Sequence, residues 1–338
     1  MQNMKKQIRN KIICDYAIIG SGNIALRHVE NIKSITPSHK ICLCKRTNSR
    51  YDKKIKDICD TSTNILDDII PMNHNSIAII ASPASYHIED AVLLIKKGFN
   101  LLIEKPLTDN TNKIKKIYRT LKNKKNIILV GYNLRYSDLL QKSKKIIDGK
   151  TLGEISSVNI NVQTNYKKWR PVTKHKQSVT ASKMLGGGVL LELSHEIDYM
   201  HYLFDVPTNV SSISYTNPNS KIETSISSLF LYENKDLIIS LNQDICSNIE
   251  SRFCDIYCTN GEMRIDLNLG TICITKSNNK KIIKHKLSNN MYMKEIRNLI
   301  YSIKKSIKPL SNLETASITQ NIIKSIETSI NVKGQASI

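Results

Sequence analysis

A lysine at the end of a predicted strand is the first candidate for proton chemistry. Lys105 is the middle residue of Glu104-Lys105-Pro106, a segment that follows directly on the predicted strand 99–103. The carboxyl end of a parallel strand opens into the ligand cleft of a doubly wound sheet, so we expect the lysine to point into that cleft. There its ammonium group could share or donate a proton at a reacting C–O group. A Lys-Pro pair at a strand end is, by itself, usually structural.

A histidine flanked by polar residues at helical spacing is the second candidate. Three glycines lead into a stretch that reads as one helix from Gly188 to Phe204. One face of that helix carries an apolar stripe, and another face is polar. The members of the polar face are Glu192, His195, Asp198 and Tyr199. A lone helical histidine is usually a packing residue, but polar neighbours opposite a core stripe make this one a candidate functional residue.

A glycine-rich turn indicates which cofactor the cleft could hold. The sequence reads GSGNIA from Gly20, a G-x-G-x-x-A pattern between a predicted strand and a predicted helix. Gly20 permits a tight turn, Gly22 lets the backbone approach a pyrophosphate, and the alanine allows close helix–strand packing. The helix N-terminus at Asn23 and Ile24 would then face the phosphates. We therefore expect a bound dinucleotide.

The end of the second predicted strand bears on the choice between NAD and NADP. An acidic residue there would bind the adenosine ribose hydroxyls of NAD. This chain has Lys45 and Arg46 instead. Cations suit a 2′-phosphate, so NADP is favoured over NAD, although Arg46 could stack on the adenine of either cofactor. A positively charged nicotinamide ring would also lower the pKa of Lys105, which favours proton transfer.

The elements that position these residues alternate between strands and helices in the first part of the chain, which predicts parallel β-α-β units. The predicted strands are 14–20, 41–44, 76–81, 99–103 and 127–131, and the predicted helices are 23–35, 51–59, 85–97 and 110–122. Ser82 and Pro83 end one strand at the carboxyl edge of the sheet, beside the expected cofactor. His87 follows on the first helical turn, where it either contacts the ligand or serves as a capping or packing residue.

The pattern changes after a predicted helix over 134–147, where strands follow one another with short turns. The predicted strands are 154–166, 223–232, 236–244, 252–259, 261–267 and 271–275, and two helices near 291–305 and 313–330 close the chain. This favours an α+β region with a large open, mostly antiparallel sheet. We place the Rossmann domain at 1–133 and the substrate-binding and oligomerisation domain at 134–338. The polar, aperiodic segment 167–182 is a candidate active-site loop.

Composition narrows the class of protein. The chain has 338 residues, 40 % of them hydrophobic, with eight cysteines and a net charge of +21. We expect a cytoplasmic protein without a membrane or nucleic-acid partner, because there is no long apolar run or secretion signal, and the scattered lysines are not interleaved with aromatics. The cysteine spacing does not suggest a metal site. The positive field favours anionic ligands such as a dinucleotide or a nucleotide-linked sugar.

Taken in order, these motifs resemble the glucose–fructose oxidoreductase / inositol dehydrogenase (Gfo/Idh/MocA) family. The matching segments are the glycine turn, the 82–87 segment, the Glu-Lys-Pro at 104–106, the GYNLRY run at 131–136 and the stretch from the triple glycine to Asp198. The resemblance implies hydride transfer between NAD(P) and a carbon of a sugar, sugar nucleotide or cyclitol. It also implies a homodimer or homotetramer packed through the open sheet.

The same resemblance assigns roles to residues. Lys105 and His195 would handle the proton, Asp198 would orient His195 or hold a substrate hydroxyl, and Glu104 would lie near the nicotinamide ribose. The expected substrate contacts are Tyr132, Arg135, Trp169, Arg170, Glu192 and Tyr199, together with Lys105 and His195. The family often places an aspartate four residues before the histidine, whereas position 191 is leucine here and the acid is Glu192.

The Trp169-Arg170-Pro171 run resembles the subgroup found in bacterial surface-polysaccharide and nonulosonic-acid-type sugar synthesis. Two other functions stay open at this point. One is a catalytically silent cofactor-binding protein that acts as a sugar-responsive regulator or scaffold. The other is an enzyme that uses NAD transiently to hydrolyse or epimerise a sugar, and net production of NAD(P)H would distinguish it from a dehydrogenase.

Overall fold

Short apolar runs that end in glycine or polar turns form the first strands, as the sequence predicts. The computed structural model describes residues 11–45, 53–169, 186–216, 222–277, 279–285 and 290–338. The strands are β1 (Ile12–Cys14), β2 (Tyr16–Ile19), β3 (Ile41–Cys44), β4 (Thr61–Thr63), β5 (Ile69–Pro71), β6 (Ile77–Ile80), β7 (Asn100–Ile103), β8 (Ile128–Val130), β9 (Ile155–Asn165), β10 (Asn209–Tyr215), β11 (Ser225–Tyr232), β12 (Leu237–Asp244), β13 (Cys246–Cys258), β14 (Gly261–Asp266), β15 (Thr271–Lys276), β16 (Asn279–Lys284) and β17 (Gln335–Ser337).

Helices connect and cover these strands. They are α1 (Asn23–Ile35), α2 (Lys53–Ile58), α3 (His87–Lys97), α4 (Ile114–Leu121), α5 (Asp138–Asp148), α6 (Tyr166–Trp169), α7 (Val189–Glu192), α8 (Ser194–Phe204), α9 (Asn290–Lys305) and α10 (Leu313–Val332). A short 3₁₀ helix over Asn133–Tyr136 joins β8 to α5. No helix of the described ranges is long and apolar enough to cross a membrane.

The amino-terminal sheet confirms the predicted Rossmann fold. Its six strands are all parallel and lie in the order β4-β3-β2-β6-β7-β8. Every residue of β2, β3, β6 and β7 is buried, because helices cover both faces of the sheet. The strand order reverses between β2 and β6, and ligands of such sheets bind beyond the carboxyl ends at this point.

The second sheet confirms the predicted open, mostly antiparallel architecture. Nine strands lie in the order β16-β15-β14-β13-β9-β12-β11-β10-β17, and only β9 and β12 pair in parallel. Alternate residues of β9, such as Val158 and Ile160, are buried on one face against α8 and α10. The opposite face of β10, β11 and β12 exposes Ile213, Leu229 and Ile238.

The two closing helices contact both sheets. Ile296 and Leu299 of α9 belong to the same core cluster as Ala25 and Val29 of α1. The first turns of α10 pack into the Rossmann core, and its later turns pack into the core of the second sheet. The carboxyl-terminal segment therefore connects the two sheets.

One predicted element is wrong in a way that matters for the site. The single helix predicted from Gly188 to Phe204 is two helices, α7 and α8, separated at Leu193, whose φ of −99° and ψ of 28° interrupt the helical backbone. Glu192 therefore ends one helix, and His195 is the second residue of the next. The two residues do not share a continuous helical face.

Candidate active site

The glycine turn between β2 and α1 has the shape that a pyrophosphate requires. Gly20 has a φ of +115°, and a Cβ there would lie 2.6 Å from the carbonyl oxygen of Ala81, so only glycine fits. A Cβ on Gly22, by contrast, would meet no atom within 4 Å. The N-cap residue of α1 is Gly22, which has no side chain to cap the first N–H groups of the helix. The residues present fit a dinucleotide pyrophosphate.

The segment after β6 lies directly beside this turn. The Ser82 hydroxyl donates to Asp90, and the two ring nitrogens of His87 lie 2.7 Å from the Ser82 carbonyl oxygen and 3.0 Å from that of Pro106. Burial lowers the pKa of His87. A neutral ring carries one N–H and so donates to only one of these two carbonyl oxygens, and it lies between the Ser82-Pro83 turn and the segment that carries Lys105.

Lys105 is held by the opposite wall of the cleft. Its Nζ donates a 2.8 Å hydrogen bond to the backbone carbonyl of Glu192, and the Glu192 carboxylate lies 3.9 Å away. The break at Leu193 makes this contact possible, because a continuous helix would use the Glu192 carbonyl internally. Gln243 of β12 donates a 2.8 Å hydrogen bond to the carbonyl of Leu193, so both carbonyls at the break have side-chain donors.

His195 lies one residue into α8, in the wall of the cleft that accepts the hydrogen bond from Lys105. Its ring packs edge-on against Tyr132, with 5.7 Å between centroids and an interplanar angle of 88°. Its Nδ1 is buried and has no hydrogen-bond partner among the described residues, and the residue lines a cavity together with Lys105. Burial first, and then the positive charges of Lys105 and Arg252, hold the pKa of His195 well below its usual range. The neutral imidazole is therefore the resting form.

Asp198 and Arg135 bind each other rather than His195. Their side chains are buried and form a bidentate ion pair, with Nε–Oδ2 and Nη2–Oδ1 distances of 2.8 and 2.9 Å. Thr319 of α10 donates to the same carboxylate, and His201 accepts from Arg135. This network joins α8 to α10 and to the 3₁₀ helix. Tyr199 is likewise fully buried.

A cavity of about 350 Å³ opens in front of Lys105 and His195. The second sheet supplies most of its polar lining, which the sequence did not reveal. These residues are Gln163 and Thr164 of β9, Glu250, Ser251 and Arg252 of β13, and Asn268. Arg252 is fixed by a 2.6 Å hydrogen bond from its Nε to the buried Glu196 carboxylate. Pairing of Arg252 with Val162 across β13 and β9 brings it to the cavity, and no local motif encodes that register.

Glu104 is buried at the carboxyl end of β7. Its Oε1 lies 2.6 Å from Nε2 of His28 on α1, and its Oε2 accepts a 3.3 Å hydrogen bond from the Lys105 amide. Gly131 leaves room for this carboxyl, because a Cβ there would lie 3.2 Å from Oε2. The carboxylate thus connects the α1 helix to the Lys105 backbone.

Some predicted site residues lie outside what the structure describes. Arg46 and Arg170 fall outside the described ranges, and the side chain of Trp169 is not described. Lys45 follows β3 at the carboxyl edge of the Rossmann sheet, and its amide bonds to Thr63. Within the described residues, no group of three or more His, Cys, Asp or Glu side chains is placed to hold a metal ion.

A parallel sheet with a glycine-rich phosphate turn, joined to a polar cavity, defines a two-domain dinucleotide-binding protein, and comparison with known proteins identifies its family. Residues 14–132 match the oxidoreductase family with an NAD-binding Rossmann fold (GFO_IDH_MocA), and residues 140–264 match the GFO/IDH/MocA C-terminal domain. The chain belongs to the Gfo/Idh/MocA family, whose members include NAD(P)-dependent sugar and cyclitol dehydrogenases. Its first domain is an NAD(P)-binding Rossmann domain.

Curated relatives match part of the chain. It is 24 % identical to glucose-6-phosphate 3-dehydrogenase of Bacillus subtilis, over 60 % of this chain and 58 % of that protein. It is 22 % identical to inositol 2-dehydrogenase/D-chiro-inositol 3-dehydrogenase of Halalkalibacterium halodurans, over 59 % and 55 % of the two chains. The matches span 41 % to 62 % of the length of the first three relatives.

Solved structures share the fold over nearly the whole chain. A levoglucosan dehydrogenase in complex with NADH and levoglucosan superposes with a TM-score of 0.83, at 15 % identity, over 97 % of this chain and 100 % of that one. A UDP-N-acetylglucosamine 3-dehydrogenase from Acidithiobacillus ferrooxidans superposes with a TM-score of 0.77, at 13 % identity, over 95 % and 99 %. At these identities the likeness concerns the fold alone.

Proposed function

We propose that this protein catalyses reversible hydride transfer between a nicotinamide dinucleotide and a ring carbon of a sugar, sugar nucleotide or cyclitol. One observation carries the proposal: Lys105 and His195 line a single cavity at the carboxyl edge of the Rossmann sheet. Lys105 contacts α7 because the helix break at Leu193 leaves the Glu192 carbonyl able to accept its hydrogen bond. When bound, the nicotinamide ring supplies the hydride acceptor or donor, and every other role falls to side chains of this chain.

His195 is proposed to be the acid–base group. In the oxidative direction its neutral ring accepts the proton of the substrate hydroxyl, and in reduction the imidazolium returns it. The lowered pKa keeps the ring neutral into mildly acidic solution. Lys105, anchored by the Glu192 carbonyl, stabilises the negative charge that develops on the substrate oxygen. Asp198 and Arg135 are proposed to position α8, because their hydrogen bonds are directed at each other.

The substrate class follows from the cavity lining. Amide and hydroxyl groups alternate with the carboxylates of Glu192 and Glu250 and the guanidinium of Arg252. Such a surface offers donors and acceptors to a ligand that is rich in hydroxyls. A phosphate- or nucleotide-linked sugar is included in the proposal, since one relative acts on glucose 6-phosphate and one structural neighbour on a UDP-linked sugar. A place in surface-glycan biosynthesis is proposed from the Trp169-Arg170-Pro171 run of the sequence.

NADP is the proposed preferred cofactor over NAD. The support is the cation at Lys45, at the end of β3, followed by Arg46 in the sequence. Positive charge at this end of the sheet suits the 2′-phosphate of NADP. Measured dissociation constants for NADPH and NADH decide this point, and tighter binding of NADH would overturn it.

A homodimer or homotetramer is proposed to form through the open sheet. Ile213, Leu229 and Ile238 project from one face of three neighbouring strands and are 74 %, 50 % and 46 % exposed. Contiguous exposed apolar residues typically mark an interface. Sedimentation of the wild type as a multimer, and of a Leu229→Lys variant as a smaller species, is expected. A monomeric wild type at micromolar concentration would refute it.

The test of the catalytic proposal compares Lys105→Ala and His195→Asn with Lys150→Ala, a control at an exposed lysine on the second domain. A panel of sugars, sugar phosphates and nucleotide sugars is assayed for reduction of NAD(P), and cofactor binding is followed separately by fluorescence. Each active-site variant should bind cofactor and lose at least about 100-fold in kcat, the lower range for an acid–base group. Full turnover in Lys105→Ala, with normal cofactor binding, would contradict the proposal.

A further inference from the structure

A carboxyl group on α9 is buried without a partner. Glu295 has no solvent exposure, and neither of its carboxyl oxygens has a hydrogen-bond partner among the described residues. α9 packs against α1, β7 and the 3₁₀ helix at 133–136. A buried ionised carboxylate without hydrogen bonds is strongly disfavoured, so a native protein that keeps one normally keeps it neutral.

A second carboxyl group shares this buried region. Glu104, at the end of β7, is 8 % exposed and bonds to His28 through Oε1 and to the Lys105 amide through Oε2. The Nδ1 atom of His28 is buried and has no partner among the described residues. Burial first, and then the charge of Glu104, raises the pKa of Glu295 well above its usual range. The two carboxyl groups are thus electrostatically linked.

The cations near Glu295 interact with other groups. On α1, Arg27 stacks over the ring of Tyr292, 4.7 Å from its centroid, and on the 3₁₀ helix Arg135 is paired with Asp198. Lys105, which follows Glu104, binds the Glu192 carbonyl. Three further titratable groups belong to this region. Burial first, and then the charge of Glu295, raises the pKa of Tyr136, whose hydroxyl donates to Asn298. His28 and Tyr292 interact with Glu104. No cation of the described residues forms an ion pair with Glu295.

We propose that Glu295 is a positioning residue that stays protonated at neutral pH, so that Glu104 alone carries the negative charge beneath the Lys105 backbone. This rests on the proposed function in one respect only, namely that Lys105 serves the reaction. Loss of the Glu295 proton would place the negative charges of Glu104 and Glu295 in the same buried region, shielded from solvent. Glu104 would then move away from Glu295, and its bonds to His28 and to the Lys105 amide would weaken.

The sign of the pH effect on stability follows from linkage. The folded state holds the Glu295 proton above pH 4.5, the ordinary value for glutamic acid, where the unfolded chain releases it. Stability therefore falls as pH rises through this window, until the folded-state pKa is reached. The equilibrium constant for unfolding should rise by about tenfold per pH unit from this one group, which is about 1.4 kcal/mol.

The experiment measures urea unfolding of Glu295→Gln and wild type between pH 5 and 8, without substrate or cofactor. Glutamine keeps the shape and neutrality of the protonated acid. In this variant the equilibrium constant for unfolding should therefore lack the tenfold rise per pH unit. The control is Glu262→Gln, at an exposed position of β14, which should follow the wild type. Infrared spectroscopy should show a protonated-carboxyl C=O band in wild type that is lost in Glu295→Gln.

Activity supplies a separate readout. The alkaline fall in kcat that accompanies ionisation of Glu295 should disappear in Glu295→Gln, with the neutral-pH kcat kept within about threefold. If Glu295→Gln fails to fold, Glu295→Met and the infrared band of the wild type decide the question. Parallel pH–stability curves, or no protonated-carboxyl band in wild type, would overturn the inference. A protein with the band and the linkage but no turnover would instead refute only the proposed function.

Discussion

Replacing Arg135 with methionine tests whether its ion pair with Asp198 is structural. The variant keeps an unbranched side chain of comparable length but leaves a buried carboxylate facing no cation. Removing one partner of a buried, well-formed ion pair costs about 3–5 kcal/mol. Because domains are stable by only about 5–15 kcal/mol, we expect Arg135→Met to lose a large part of the unfolding free energy at pH 7.

The pH dependence of that loss identifies the group responsible. Burial acts to raise the pKa of Asp198, but the charge and hydrogen bonds of Arg135, with help from His201, hold it below its usual value of 3.8. The resulting stability is present above pH 3.8 and is lost as pH falls through the lower, folded-state pKa. In Arg135→Met the Asp198 carboxyl group can be protonated at little cost in free energy, because no cation favours its ionised form. The difference between variant and wild type should therefore shrink as pH drops from 7 to about 3.5.

Urea denaturation of wild type, Arg135→Met, Asp198→Asn and the double Arg135→Met/Asp198→Asn variant provides the measurement. The double variant should be less destabilised than the sum of the single changes by about 1–3 kcal/mol, since neither charge is then left alone. A loss below 1 kcal/mol in Arg135→Met would refute the reasoning. So would an Asp198→Asn variant of full stability with a 100-fold lower kcat, which would assign Asp198 to the substrate.

Three further outcomes follow from the site. The acid limb of the kcat/KM profile for oxidation should have its midpoint below pH 6.5, because the lowered pKa of His195 delays protonation of the base; a midpoint above 6.5 would contradict this. Charge reversal by Lys45→Glu should weaken NADPH binding by about tenfold or more while changing NADH binding less, as expected for a contact with the 2′-phosphate. Equal effects on the binding of both cofactors in fluorescence titrations would argue against NADP. Gln243→Leu removes the donor to the Leu193 carbonyl and should lower the unfolding free energy by about 1–3 kcal/mol. It should also lower kcat, because the backbone at the α7–α8 break is then less constrained. An unchanged melting temperature would show that this hydrogen bond does not stabilise the break.

Local patterns predicted much of the fold. The glycine turn and the apolar period after it predicted α1 with its observed limits, and the strand at 41–44 was also predicted with its observed limits. These elements are encoded by residues close in sequence. The serine-rich strand β10 was not predicted, because its alternation depends on pairing with β11 and β17 rather than on an apolar run.

The site was predictable only where a motif carries it. Lys105 and His195 stand out in the sequence, and the structure brings both to one cavity. The break at Leu193 was not predictable, because it depends on donors from Lys105 and Gln243, which are distant in sequence. Arg252 was missed for the same reason, since the register between β13 and β9 places it. Tertiary contacts, rather than local propensity, determine these features.

Transfer of a labelled hydride tests the central claim most directly. Sugars, sugar phosphates and nucleotide sugars deuterated at ring carbons are incubated with the protein and NAD(P), and the cofactor and the sugar are analysed by mass spectrometry. We predict deuterium on the reduced nicotinamide in equal amount to a ketone product, with loss of both in Lys105→Ala. An epimerised or hydrolysed sugar without net cofactor reduction, or tight cofactor binding with no movement of deuterium, would contradict the account.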